Sequence, residues 1–252
     1  LLRCLRQENV AVQAVKPVQT GVRADDVASS PLSDAFVYAK AMQGIKSMQG
    51  LQPSAVLHCF KLPASPHLAA AKENKRLSCR ILREDILAHW RAVPARALLL
   101  EGAGGLRVPL NDDEDMLDLM SMLGLPVLLA GGNYLGGLNH ILLSVEALRH
   151  HGLVLAGVAL TPTADPAMNC PGVDVAGLLA DNARILRKKL EGMDCAAPVV
   201  ELPRLEKLDW SGWERLTDLL RPIALQMAQR WSEKSQGSLE LLEQERLIQR
   251  DR

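Results

Sequence analysis

The sequence predicts an α/β fold, a parallel sheet flanked by helices, and two observations carry that prediction. First, the runs ALLLEG ending at Gly102, PVLLAGG ending at Gly132 and LVLAGVAL ending at Leu160 are short and apolar without alternation. Strands of a parallel sheet read this way, because helices cover both of its faces. Second, segments 34–49, 79–92, 114–123, 138–151, 174–191 and 211–233 carry helical patterns between and around those runs. Strand alternating with helix implies a parallel sheet. Ligands of such sheets sit beyond the carboxyl ends of the strands, so the residues that follow each strand are the ones to read for function.

The chain opens with Leu1, Leu2 and Leu5 among Arg3, Arg6, Gln7 and Glu8, the pattern of a last helical turn or two, with Asn9 as its stop. VAVQAV at 10–15 is β-branched and short, a strand that ends at Lys16-Pro17. AVLHCF at 55–60 is a weaker strand candidate, and PVVEL ends one more at Leu202. Residues 1–234 are expected to form one domain. Residues 235–252, including LELLEQERLIQRDR, are expected to form a charged helical tail or linker.

Composition narrows the function classes. The chain has 252 residues with 29 basic and 29 acidic side chains. A zero balance argues against general nucleic-acid or membrane-surface binding, which needs a basic excess, but leaves a local anion pocket open. The five cysteines form no CxxC pair and no zinc-like spacing, so they read as free thiols of a reducing compartment. No apolar run reaches membrane-span length, and no signal peptide is recognised. The expected location is the cytoplasm, with an organelle interior left open.

Four segments carry candidate chemistry. KPVQTG at 16–21 places Lys16 at the end of a strand, where a cation meets a phosphate or carbamate, with the hydroxyl of Thr20 and a turn at Gly21. EGAGGLRVPL at 101–110 ends an apolar strand in a carboxylate, Glu101, which is costly to desolvate unless paired or metal-bound. Gly102, Ala103 and Gly104 then allow close backbone approach to a ligand. GGNYLGGLNH at 131–140 leads glycines into a helix N-terminus, whose free amides suit an anion. Asp34 opens a helix. Each segment also has a plain reading, as a strand-ending turn or, for Asp34, a first-turn acid favoured by the dipole. His140, His150 and His151 have no evident partner, and Met116, Met120 and Met122 read as core.

Taken in order, KPVQTG, the SDA of Ser33 to Ala35, the SPH of Ser65 to His67, EGAGGLRVPL, LGGLNH with SVEALRHHGL, and LAGVAL resemble dethiobiotin synthetase over Leu1 to about Leu205. The resemblance implies a homodimeric, cytoplasmic ligase of biotin biosynthesis with a phosphate-loop NTPase type of fold. Such an enzyme joins carbon dioxide to 7,8-diaminononanoate with ATP and Mg2+, through a carbamate and a mixed phosphoric anhydride. It also implies roles for particular residues. Lys16 is the catalytic lysine. Thr20, Gly136, Gly137, Leu138 and Asn139 bind substrate, the last four reaching across the dimer. Asp34 and Glu101 ligate Mg2+ beside the nucleotide, two hard carboxylates suiting that ion. Gly102, Ala103, Gly104, Thr161, Pro203, Arg204 and Leu205 line the nucleotide.

The sequence departs from that family in two places. No GxxxxGK[ST] phosphate loop occurs in these 252 residues, and the family pattern is entered in the helix that follows that loop. Where the family supplies an asparagine to adenine, Thr161 stands, followed by Pro162. The expected fold therefore has its first strand and phosphate loop missing, and turnover by these residues is expected to be impaired. LLEQERLIQRDR resembles the run-up to the aminotransferase that makes diaminononanoate, which implies a fused or adjacent partner enzyme. The competing reading is a pseudoenzyme, a dimerisation or regulatory module of the same fold that no longer binds nucleotide.

Overall fold

The computed structural model describes residues 1–45, 52, 54–162, 174–205 and 209–248, with side chains through Gln229. Cys170, the end of the predicted helix at 46–49 and the last tail residues 249–252 lie outside the described residues. The elements run α1 (Leu2–Gln7), β1 (Val12–Thr20), α2 (Asp34–Ala41), β2 (Ser54–Phe60), α3 (Pro66–Lys72), α4 (Cys79–Ala92) and β3 (Ala97–Leu100). They continue with α5 (Met116–Leu123), β4 (Val127–Asn133), α6 (Gly137–His150), β5 (Leu155–Pro162), α7 (Val175–Gly192), β6 (Val199–Glu201) and α8 (Trp210–Ile248). The expected α/β class holds, and every strand pairing between these elements is parallel.

The strands form two sheets of three, in the orders β2-β1-β3 and β4-β5-β6. Among the described residues β3 pairs only with β1, and β4 only with β5. These two strands are apolar in sequence yet half-buried along most of their length, whereas β1 and β5 are buried almost throughout. Helices bridge the halves. Met120 of α5 packs against the cluster of Val18, Phe60, Leu82 and Leu119, and also against that of Ile141, Leu148, Val158 and Leu186. A third cluster joins Leu2, Leu5 and Val12 to Ala224 of α8. Full burial of an aliphatic side chain contributes about 1.5–3 kcal/mol, so these clusters carry most of the cohesion.

Local chemistry sets the helix ends. Ser78 caps α4 by accepting from the Ile81 amide at 3.2 Å. Asp115 and Asp118 form a reciprocal capping box on α5, and Gly124 closes that helix in the left-handed region at φ 62°.

Four elements differ from expectation. β1 does not stop at Lys16-Pro17 but runs to Thr20, because β2 stays paired with it as far as Thr20↔Phe60. Its pairing with β3 ends at Val15, so Pro17, which lacks an amide hydrogen, stands where only one neighbour remains. Lys16 is therefore inside the strand. α2 stops at Ala41 rather than continuing: Gly44 turns the chain in the left-handed region at φ 74°, and the Arg3 guanidinium donates to the carbonyls left free at Ala41, 2.8 Å, and Gln43, 3.0 Å. α3 is too short for a periodic signal. α8 does not end near 233; backbone helix continues to Ile248, as the Leu, Glu, Gln and Arg content of that stretch favours.

Candidate active site

β1, α2 and β3 bring three charges together. The Lys16 ammonium lies 2.7 Å from Asp34 Oδ2 and 3.0 Å from Glu101 Oε1, and it donates to the Gly102 carbonyl at 3.0 Å. Lys16 is supplied by the buried middle of β1, Asp34 by the first turn of α2, and Glu101 by the residue after β3. The Lys16 side chain is only 9% exposed, while Asp34 is 33% and Glu101 47% exposed. The cation is thus fixed by its strand, and the carboxylates reach it from the solvent side.

Two further side chains belong to this group and were not singled out by sequence. The Tyr38 hydroxyl donates to Glu101 Oε2. Tyr38 follows Asp34 by four residues on α2, so both project from one helix face; that spacing was the available signal. Buried Gln19, at the end of β1, accepts from the Asp34 amide at 3.3 Å and donates to the Thr20 carbonyl at 2.9 Å. Ser33, the residue before α2, does not cap the helix. Its hydroxyl is buried and has no hydrogen-bond partner.

The loop after β3 turns through Gly104 at φ 79°, where a Cβ would meet Val108 Cγ2 at 2.8 Å. Ala103 is buried and Gly102 packs on Met116, so the loop is seated on α5. On the second sheet, Gly136 is left-handed at φ 92° immediately before α6. A Cβ on Gly137 would run into the Gly132 carbonyl oxygen, so this close approach requires glycine. The Gly137 amide donates to the Tyr134 carbonyl at 2.9 Å, while the amides of Leu138 and Asn139 sit in the first turn, where helix geometry offers no partner.

Thr161 stands near the end of β5 with its hydroxyl donated across to the Gly131 carbonyl at 3.2 Å. That proton is spent on the sheet. Pro203, Arg204 and Leu205 follow β6, whose neighbour Leu202 donates to the Leu160 carbonyl at 2.8 Å. Thr20 ends β1 and is half-buried. The predicted residues thus fall into two groups: Lys16, Thr20, Asp34 and 101–104 on the first sheet, and 136–139, Thr161 and 203–205 on the second. Among the described residues no three of His, Cys, Asp and Glu converge as a metal cluster; Asp34 and Glu101 form a two-carboxylate pair.

Comparison with known proteins decides the family. The AAA domain family profile matches residues 1–211. An ATP-dependent dethiobiotin synthetase BioD of Anaeromyxobacter dehalogenans is 36% identical over 183 residues, covering 71% of this chain and 76% of the relative. One of the same name from Aromatoleum aromaticum is 35% identical over 195 residues, covering 76% and 78%. Another, from a Caulobacter species, is 32% identical over 209 residues, covering 83% and 82%. The chain belongs to the dethiobiotin synthetase family.

No helix among the described residues is long and apolar enough to cross a membrane. His58 on β2 pairs with Asp85 of α4 at 2.8 Å, and Ser65 meets His67 Nδ1 at 3.0 Å. Cys79 is fully buried, and burial, with Glu114 and other carboxylates near it, pushes its thiol up to about 12.

Proposed function

We propose that this chain contributes the active site of an ATP- and Mg2+-dependent dethiobiotin synthetase, which carboxylates 7,8-diaminononanoate and closes its ureido ring. The convergence of Lys16, Asp34 and Glu101 carries the reading. One amine of the substrate adds to carbon dioxide and loses a proton, giving a carbamate. A carbamate oxygen displaces ADP from the γ-phosphorus, giving a mixed anhydride. The second amine attacks its carbonyl carbon, phosphate leaves, and the ring closes. Such a sequence needs positioned charge more than covalent help from the protein.

In this reading Lys16 holds the carbamate oxygen beside the γ-phosphate and offsets the charge that develops between them. Thr20 offers its hydroxyl to the substrate at the end of β1. The α6 amides at Leu138 and Asn139 reach across the dimer to hold the far carboxylate of the substrate bound by the partner subunit, with Gly136 and Gly137 shaping the turn. Gly102 to Gly104 approach the nucleotide by backbone. Pro203 to Leu205 flank the base beside Thr161. Asp34 and Glu101 would hold Mg2+. The donor set fits that ion: two hard carboxylates partly open to water, in a position that already attracts a cation, beside an unpartnered buried Ser33 hydroxyl. The ion would supply charge neutralisation for phosphoryl transfer. Exposed Leu135, just before α6, and exposed Leu143, in the middle of that helix, are apolar surface that a homodimer would cover.

The 252 residues contain no GxxxxGK[ST] loop, and we read their own turnover as impaired. A strand bearing such a loop would find partners in β3 and β4, each of which is paired on one side only among the described residues. The second reading is a module of this fold that does not bind nucleotide. The two separate in one experiment. Dethiobiotin is measured from diaminononanoate, bicarbonate and Mg-ATP, using the chain alone and the chain joined ahead of Leu1 to the strand and loop of a relative. The enzyme reading expects negligible product from the first and turnover from the second, abolished by Lys16→Ala. A joined protein that binds ATP and makes no dethiobiotin overturns it.

A further inference from the structure

Both oxygens of Glu101 are engaged, and from different elements. Oε1 accepts from Lys16 of β1, and Oε2 accepts from Tyr38 of α2. Without such partners a side chain 47% exposed would sample several rotamers at the mouth of the site. The Tyr38 ring is itself anchored. It packs against the cluster of Leu2, Leu5 and Val12, which Ala97 and Leu99 of β3 also join. The ring therefore packs on the same apolar cluster as the strand that precedes Glu101, with the hydroxyl directed at the carboxylate. Asp34, one helical turn before Tyr38, reaches the same ammonium. One face of α2 thus supplies one carboxylate and fixes the orientation of the other.

Resting on the reading of Asp34 and Glu101 as metal ligands, we propose that Tyr38 is a positioning residue for the metal. Its phenol holds Glu101 Oε2 and leaves Oε1 to the cation. A carboxylate held by a hydrogen bond at one oxygen meets a metal through the other at less entropic cost. Loss of an outer hydrogen-bond partner of this kind typically lowers metal affinity about 10–100-fold. Lys16 occupies Oε1 in the structure and competes with a divalent ion for it, so the effect is read most cleanly where that competitor is removed.

The test is Mn2+ binding, followed by electron paramagnetic resonance of the free ion, on the full chain carrying Lys16→Met. Adding Tyr38→Phe, which keeps the packed ring, is expected to weaken Mn2+ binding about 10–100-fold. Adding Glu101→Gln instead should remove the site. With Glu101→Gln present, Tyr38→Phe should have no further effect on any residual binding, a coupling that a packing role alone would not produce. Binding that depends on Glu101 but is unchanged by Tyr38→Phe overturns the role of Tyr38 and leaves the metal site standing. A Lys16→Met chain that binds no Mn2+ overturns both.

Discussion

Replacing Lys16 by Met keeps the packed stem and deletes the charge that three acceptors share. The magnitude follows from exposure. Breaking a fully buried ion pair costs about 3–5 kcal/mol, whereas an exposed pair contributes about 0.2–1 kcal/mol. Lys16 is buried, but Asp34 is 33% and Glu101 47% exposed, so water rehydrates both carboxylates once the ammonium is gone. The Gly102 carbonyl also loses its donor. The expected loss is about 1–2 kcal/mol, which for a chain of this size lowers Tm by roughly 2–4 °C per kcal/mol. The variant leaves two carboxylates facing one another with no cation between them. Mg2+ should therefore stabilise it more than wild type, by up to about 2.7 kcal/mol at one hundred times its Kd. Thermal melts of both proteins across a Mg2+ titration measure this. An unchanged Tm, or equal Mg2+ responses, would refute the reasoning. A loss above about 4 kcal/mol would show that water does not reach the carboxylates.

Other expectations concern the same site and the core. In the protein joined to a strand and phosphate loop, Glu101→Gln should cut kcat by orders of magnitude while the melt stays within about 0.5 kcal/mol of wild type; full activity would reduce Glu101 to a turn residue. Cys79 holds its proton more tightly folded than unfolded, with its thiol at about 12 against 9.0. The unfolded state therefore loses its proton first, and stability should fall as pH rises from about 9 toward 12, by at most about 1.4 kcal/mol per pH unit. Denaturant midpoints of wild type and Cys79→Ala across that range check it, since the variant should lack this contribution to the slope. Arg3→Met strands the carbonyls of Ala41 and Gln43, leaves Glu214 with only its Gln7 donor, and removes a cation 4.4 Å above the Trp210 ring, for an expected cost of about 2–3 kcal/mol in urea unfolding. A midpoint shift worth under about 0.5 kcal/mol would show that water replaces all of these contacts.

The order of the strands along the chain, and the ends of β3, β4 and β5, were legible because buried parallel strands leave unbroken apolar runs. ALLL, VLLAGGN and LAGVALTP became β3, β4 and β5 within a residue or two of expectation. The length of β1 was not legible. Lys16-Pro17 looks like punctuation, yet a strand continues through such a pair when its partner on one side continues, and that partner is forty residues away in sequence. Tyr38 escaped for a related reason. Its spacing from Asp34 is visible in the sequence, but an aromatic residue in a short helix ordinarily reads as core, and here the ring is core while only the hydroxyl reaches the site. Gln19 sat inside a quoted motif without a role until α2 folded back onto it.

The division of the sheet bears on what keeps the site in register. Lys16, Asp34 and Glu101 stand on the first sheet, while the α6 turn, Thr161 and the segment after β6 stand on the second. Among the described residues no strand pairing joins the two. Their spacing is set by side-chain packing, through Met120 of α5 between two clusters and through α8, which touches α1, β5 and β6. Helix packing fixes a distance less sharply than a ladder of backbone hydrogen bonds, because apolar contacts are non-directional. The charge cluster draws on two strands of one sheet and the helix packed against it, and is held by its own hydrogen bonds, so it keeps its geometry independently of the second sheet. The distance from that cluster to the α6 amides has no such constraint.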